Sequence, residues 1–332
     1  MLRELSFNSD ELKTKWQELY SDNPRLLPYS SRKYAELFKK YFSIRTRRFF
    51  LQKHFYGFYD EDDKLLMILP LTVKGRNIYI FGDFANEEIL DFIYRESIES
   101  KHFELLFNEL ANKFKGYKLI LNRLSPDSLL HEWLQEKGYQ SMRLKSCAKL
   151  KLPSSYNEYL KKLSINTRYN VRKSERLIRE LGKPYNLEFL QGPISRDIKN
   201  ELFRIYDQRE AEREGKKSTF WTCYKRKELN ALTDACTQEN NSFNVFLYVD
   251  GKMVVFASGL LDFREKRFII RKTAIDSNYA KCSPGIFLHT QMIKWLIENT
   301  ELEWLDLAGG HEIYKYNLGC EEYFCHSYEI EL

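Results

Sequence analysis

Glycine and proline are scarce: 14 Gly and 8 Pro in 332 residues exclude a collagen-like or linker-dominated chain. The six cysteines (147, 223, 236, 282, 320 and 325) form no Cys-x-x-Cys pair, so reduced thiols are expected rather than a disulfide framework. No apolar run approaches the ~18 residues of a membrane span. The best runs, 65–71 and 254–261, are short, and Pro70 breaks the first. Residues 1–12 carry Arg3, Glu4, Asp10 and Glu11 and have no apolar signal-peptide core. The formal net charge of +6 is modest, favours anionic ligands weakly, and is low for a nucleic-acid binder.

What the chain does have is core-forming material. Hydrophobic residues make up 43% and charged residues 30%, which rules out a disordered tail. The aromatic content of 15% suits sheets with large packed faces. A length of 332 suggests two domains.

Apolar periodicity and turn residues predict helices over 10–20 and 31–41, then strands over 49–59, 65–73 and 77–81. Helical segments follow at 87–99 and 102–114, a strand at 118–123, a helix at 128–137 and a strand at 146–152. The second half repeats that order. It has a basic helical region at 156–181, a helix at 195–213, strands at 243–249, 252–261 and 267–275, a helix at 284–298, and strands at 303–307 and 324–332. Asp250-Gly251 between apolar runs is a hairpin signal. A meander leading into a β-α-β unit, twice over, indicates two mixed α/β domains, 1–145 and 146–332.

The positive charge is concentrated. Lys161, Lys162, Arg168, Arg172, Lys173, Arg176, Arg179 and Lys183 face only Glu175 and Glu180, an excess equal to that of the whole chain. Val171, Ser174, Ile178 and Leu181 recur at helical spacing beside the arginine row. Such a face is either plainly solvated or an anion site for a pyrophosphate, nucleotide-sugar or lipid headgroup.

Two further segments could carry chemistry. In Tyr279-Ala-Lys-Cys-Ser-Pro-Gly-Ile286, Ser283 suits an N-cap and Pro284 a first helical turn. A helix start with Lys281 beside it fits a phosphate, or is simply a capped core helix. In Trp304-Leu-Asp-Leu-Ala-Gly-Gly-His-Glu-Ile-Tyr-Lys315, a buried strand ends in Asp306, and His311, Glu312, Tyr314 and Lys315 crowd beyond two glycines. Ligands of α/β sheets collect at such strand ends, although a loop with surface charges reads the same way. A zinc site from Cys320, Cys325, His326 and His311 lacks finger spacing. A Cys282 or Cys320 nucleophile with His289 or His311 is a further alternative.

Three segments together resemble the CelD/BcsL-like branch of the GNAT acyltransferase superfamily, relatives of the Fem-type peptidyltransferases. Leu163-Ser-Ile-Asn-Thr-Arg-Tyr-Asn-Val-Arg-Lys173 looks like its LS…R.N.RR segment, and Tyr279 to Leu288 like its Y…SPG..L segment. Leu305 to Lys315, with Gly319 trailing, looks like FD…G…YK. The resemblance spans about 151–322; the first half fits only by layout. Ser-Pro-Gly stands in place of the usual glycine-rich loop, and His311 where many relatives carry an acid.

The resemblance implies an α/β fold of tandem GNAT-like domains, each a mixed, mainly antiparallel sheet flanked by helices, the first degenerate and the second catalytic. It implies acyl-CoA as co-substrate, held by Lys281, Cys282, Ser283, Pro284 and Gly285. The acceptor would be the amine of an amino sugar or its nucleotide-linked form, in surface-polysaccharide assembly and alongside the proteins of that machinery. Asp306, His311 or Glu312 would take the amine proton, Tyr314 would protonate the thiolate, and Lys315, Asn166, Arg168 and Arg172 would hold substrate anions. Cytoplasmic placement follows, with peripheral attachment to the inner membrane face as an extension. The alternatives are Fem-like transfer from aminoacyl-tRNA, which would make tRNA the one nucleic-acid partner, and a non-catalytic GNAT-shaped binding module.

Overall fold

The structure is a computed structural model that describes residues 1–41, 51–83, 89–214 and 219–332. The chain forms two compact units, Met1–Ser146 with Tyr323–Leu332, and Cys147–Glu322.

The first unit runs β1 (Leu2–Glu4), α1 (Asp10–Asp22), α2 (Arg32–Tyr41), β2 (Gln52–Tyr59), β3 (Leu65–Lys74), β4 (Asn77–Ile80), β5 (Ile93–Tyr94), α3 (Ser100–Lys113), β6 (Lys118–Leu124) and α4 (Leu129–Glu136). β1 to β4 form an antiparallel meander and β6 joins β4 in parallel. The Asp60 carboxylate closes the β2–β3 turn by accepting from the N–H groups of Asp62 and Lys64 (3.1 and 2.8 Å). Ser9 and Ser128 cap α1 and α4 through their hydroxyls.

Two expectations meet limits here. Residues 49, 50, 87 and 88 lie outside the described residues. The helix expected over 87–99 is absent from 89–99, which hold β5 in extended chain. Phe92, Ile93 and Tyr94 are all fully buried. A short continuous apolar run has no periodicity to separate strand from helix.

Asp91 sits beneath that run. Its carboxylate accepts from the Ser128 and Tyr94 hydroxyls (2.5 and 2.7 Å) and from the Phe92 N–H (2.7 Å). Burial nevertheless pushes its carboxyl up to about 7. A raised carboxyl favours the folded state as it takes its proton, so its penalty is present above pH 7 and fades as pH falls toward 3.8. His131 works the other way. Burial and the stacked His326, 3.9 Å away, push it down to about 4, so its contribution is lost as pH falls from 6.5 to 4. Asp91→Asn is therefore expected to raise the unfolding free energy, measured by urea titration at pH 8, by a few kcal/mol. The advantage should shrink by pH 4.5; an equal effect at both pH values would refute the buried-charge account.

β7 (Arg143–Lys151) carries the chain onward. The second unit adds α5 (Tyr156–Lys162), α6 (Ile165–Glu180), β8 (Tyr185–Gln191), α7 (Arg196–Glu214), α8 (Thr219–Gln238), β9 (Ser242–Val249), β10 (Lys252–Asp262), β11 (Arg267–Ile275), α9 (Pro284–Asn299), β12 (Trp304–Gly309) and α10 (Ile313–Asn317). β8 and α8 occupy stretches where the sequence pattern marks no element. The basic region 156–181 is two helices, broken where Ser164 caps α6 by accepting from the Thr167 N–H (3.1 Å). The last strand, β13 (Glu321–Glu331), pairs antiparallel with β6, so residues 323–332 belong to the first unit rather than to the domain 146–332 read from the sequence.

Within the second unit the strands are ordered β7-β12-β11-β10-β9-β8. One face, with Val245, Leu247, Ala257 and Phe268, buries Leu288, Met292 and Leu296 of α9 and Val171 and Ile178 of α6. The other face, with Phe246, Phe256 and Ala274, buries Leu202, Ile205 and Tyr206 of α7. Alternation at period two along β9 produces both layers.

β11 and β12 run parallel but share only three register positions: Arg267–Trp304, Phe268–Leu305 and Ile269–Asp306. Beyond them the strands part. The cause lies on the other side of β11. Ser258 of β10 faces Lys272 while Gly259 faces Ile270, so Arg271 is an extra residue, a β-bulge. A bulge bends and twists its strand, here one or two residues past the last shared position. The result is a fork that opens toward the start of α9.

Candidate functional site

The fork is bounded on one side by the end of β11, the 3-10 turn Ser277–Cys282 and the start of α9. Asp276 organises this corner. Its carboxylate accepts from the Asn278 N–H (3.0 Å) and from Arg204 on α7 (2.9 Å). The Arg204 and Asn278 hydrogen bonds outweigh burial and hold its carboxyl below the usual range. Arg209, one turn further along α7, donates to the Thr273 carbonyl of β11 (2.8 Å).

Ser283 occupies the N-cap position of α9, but its hydroxyl makes no cap bond, contrary to expectation. Its backbone is left-handed (φ 51°, ψ 48°), whereas a capping side chain needs an extended backbone to reach the third amide. The helix start is thus free of its own cap. Around it Lys281 is exposed, Cys282, Ser283 and Gly285 are half-buried and Pro284 is buried. A Cβ at Gly285 would stand 2.9 Å from Ile275 Cδ1, so glycine lets the turn sit against β11.

The other side is the end of β12 and α10. Asp306 is fully buried at the base of the fork, accepts from the Ala308 N–H (2.7 Å) and lies 3.9 Å from the Arg267 guanidinium. Ala308 takes a left-handed φ of 52° to turn the chain. Lys315, only 2% exposed, donates to the carbonyls of Ala308, Gly309 and Gly310 (3.2, 2.8 and 3.3 Å) and pairs with Glu312 (3.1 Å). Its ammonium locks the Gly-Gly turn and is not presented to a substrate. Asp306 likewise holds the turn, and its burial keeps it from an incoming amine. Both corrections have one physical source: a sharp buried turn exposes carbonyl and amide groups that need partners inside the fold. Lys315→Met should lower the unfolding free energy by about 2–4 kcal/mol, because three carbonyls lose their donor. Thermal melting of the variant checks this, and an unchanged midpoint would refute the clamp.

His311 is exposed and tied to Glu322 (2.9 Å) and the Tyr316 hydroxyl (2.8 Å). Glu312 is exposed. Tyr314 is half-buried against the core of this unit, and burial pushes its phenol up to about 12, with Glu312 acting in the same direction and Arg209 opposing. Its ring lies 5.6 Å from that of His289, one turn into α9, so the α9 start and the 306–315 stretch do meet.

His289 is the residue that sequence reading placed only in a cysteine mechanism. Its Nδ1 is 2.7 Å from the Gly285 carbonyl, which fixes Nδ1 as the donor; buried Nε2 has no partner among the described residues. Burial depresses its pKa and Lys315 adds to that, so the ring is neutral at pH 7. Arg209 was missed altogether; no local motif marks it.

Arg168 is a further correction. Its guanidinium donates to the carbonyls of Leu160, Lys161 and Leu163 (3.4, 3.3 and 2.8 Å), sealing the α5–α6 junction. Asn166 and Arg172 are exposed on α6. Burial, followed by the Asp306 charge, pushes the Cys320 thiol up to about 12, which removes it as a nucleophile at neutral pH. Among the described residues no three His, Cys, Asp or Glu side chains converge as metal ligands; His326 instead stacks on His131.

Residues 166–316 match the family model Acetyltransf_6, an acetyltransferase (GNAT) domain. That segment is thus similar to GNAT acetyltransferase domains. It contains the whole fork, the α9 start and Tyr314. Among solved structures, FemX is similar with a TM-score of 0.62 at 12% identity, over 100% of this chain and 97% of that one. The C-terminal domain of a putative lysylphosphatidylglycerol synthetase from Agrobacterium fabrum gives 0.59 at 14% identity, over 96% and 92%. A tandem GNAT protein from the clavulanic acid biosynthesis pathway gives 0.52 at 11% identity, over 100% and 98%. These likenesses establish the tandem GNAT-like fold expected from the sequence. No curated protein matches the chain. Among the described residues, no helix is long and apolar enough to cross a membrane.

Proposed function

We propose that the second unit transfers an acyl group from acyl-CoA to an amine, and that the acceptor is an amino sugar or nucleotide-linked amino sugar of surface-polysaccharide assembly. The observation that carries the reading is the fork itself: β11 and β12 separate after Ile269–Asp306, and their free ends lead to an uncapped helix start and to Tyr314. The acceptor class rests on the resemblance to the CelD/BcsL-like branch.

In this mechanism the donor diphosphate lies at the Gly285 N–H of the α9 start beside Lys281, where the helix dipole favours negative charge. The thioester lies in the fork, where backbone amides released from pairing polarise its carbonyl. The amine attacks the carbonyl carbon, the C–S bond breaks, and the thiolate takes the Tyr314 proton. The amine proton passes to the exposed Glu312 carboxylate and on to water, and a proton from water restores the Tyr314 phenol. His289 positions the first turn of α9 through Gly285, and Arg209 holds β11 open from the α7 side.

The test is calorimetric and thermal binding of acetyl-CoA, followed by thiol release with amino-sugar acceptors. Ligand at 100 times its Kd should stabilise the fold by about 2.7 kcal/mol. Gly285→Val, which pushes a side chain into Ile275, should weaken that binding. No stabilisation by any acyl-CoA would favour a non-catalytic module. Activity that disappears on nuclease treatment would select an aminoacyl-tRNA donor instead.

A further inference from the structure

We propose that the outward face of α5 and α6 docks on an anionic lipid bilayer surface. This goes beyond the acyl-transfer reading and does not depend on it.

α6 is amphipathic in an unusual way. Its inward stripe, Thr167, Val171, Ser174 and Ile178, is buried. Its outward stripe is not simply charged: Ile165 is 78% exposed and Tyr169, one turn on, is 59% exposed. Around these two lie exposed Lys161, Lys162, Arg172, Lys173 and Arg179. Among the described residues none of these five makes an ion pair; Arg176 is neutralised by Glu180 at 3.4 Å, and Glu175 is turned inward onto Gln291 of α9 (2.9 Å). The outward face of α5 and α6 therefore carries two exposed apolar side chains together with five cations that make no ion pair among the described residues.

The patch is also rigid. Arg168 seals the α5–α6 corner through three carbonyls. Tyr159 of α5 is buried and donates to the Leu318 carbonyl (3.2 Å). Ile165 and Tyr169 are thus presented by a fixed corner, so little order is lost on docking.

The chemistry fits a membrane interface. Isoleucine enters the acyl boundary, tyrosine sits at headgroup level, and lysine and arginine stems spread to reach lipid phosphates. An RNA backbone would use the cations but leave Ile165 in water, since an aliphatic side chain gives bases no stacking partner. A pair of apolar residues with five cations predicts reversible, salt-sensitive binding.

The experiment is co-sedimentation of the full chain with large unilamellar vesicles of phosphatidylcholine, with or without about a third phosphatidylglycerol. Partitioning should be at least ~10-fold stronger on the anionic vesicles and fall with added salt, as about five-fold per basic residue at a surface implies. Ile165→Ser/Tyr169→Ser should weaken it ~10-fold or more, and Lys161→Ala/Lys162→Ala/Lys173→Ala by about 100-fold. Acetyl-CoA binding by Ile165→Ser/Tyr169→Ser should stay at the unsubstituted level, which separates this result from the fate of the acyl-transfer reading. Equal partitioning on both vesicles would overturn the proposal, as would full retention after Ile165→Ser/Tyr169→Ser. So would a short RNA that binds through the cations with Ile165 and Tyr169 dispensable and displaces the protein from the vesicles.

Discussion

Tyr314→Phe is expected to cut the rate constant for thiol release by about 10²–10³-fold, with the Michaelis constant for acyl-CoA changed by no more than ~3-fold. In the proposed mechanism the phenol is the proton donor at the fork. Burial pushes it up to about 12, so it carries its proton throughout the neutral range. The departing thiolate is the base that needs that proton. Removing one oxygen leaves the ring packed beside His289 and the core, so folding should be spared. The split between rate and Michaelis constant identifies a group acting on developing charge rather than on ground-state binding. The pH profile should show no loss assignable to this tyrosine below about pH 11, because a raised phenol deprotonates late. A Tyr314→Phe enzyme within about three-fold of the original rate would remove the acid role.

Gly259→Ala is expected to cost about 3–5 kcal/mol and to reduce acyl-CoA binding together with stability. A Cβ there would overlap the Ile269 carbonyl oxygen and also approach the Ile270 backbone. These are main-chain atoms of β11, so relief requires the strands to move apart rather than a side chain to swing. Ile269 is the last residue in register with β12, so the shift is delivered to the base of the fork. Urea unfolding measures the cost, and calorimetry with acetyl-CoA measures the effect on the site. A destabilised variant whose acyl-CoA affinity is unaltered would separate the bulge from the donor site; a variant of normal stability would contradict the close approach itself.

The two results bear on one device. The bulge at Arg271 bends β11, the bend parts it from β12, and the parted ends bring the α9 start and Tyr314 to one opening. Arg204 and Arg209 of α7 brace the same corner through Asp276 and the Thr273 carbonyl. None of these braces is a local sequence feature; each joins residues more than 60 positions apart.

Much of the layout was legible all the same. The Asp250-Gly251 turn, the apolar runs of β9 to β11 and the Ser283-Pro284-Gly285 helix start are local patterns, and local patterns survive folding because backbone conformation obeys them directly. The stretch 89–99 was not legible: a buried run with Asp91 beneath it has no period, and its neighbours decided its form. Cys320 shows the same limit for chemistry, since only burial tells an inert thiol from a nucleophile.

The sequence by itself determined the tandem α/β order, the basic character of α6 and the two segments that flank the fork, because periodicity, turn residues and charge spacing act over a few positions. Tertiary structure alone decided what each polar group does. Asp306, Arg168 and Lys315 read as reactive in one dimension, yet buried carbonyls and amides had to be satisfied, and these side chains were the groups within reach. The proposed function uses Tyr314 and the start of α9, where the Ser283 hydroxyl makes no cap bond, and neither could be told from its neighbours by local pattern.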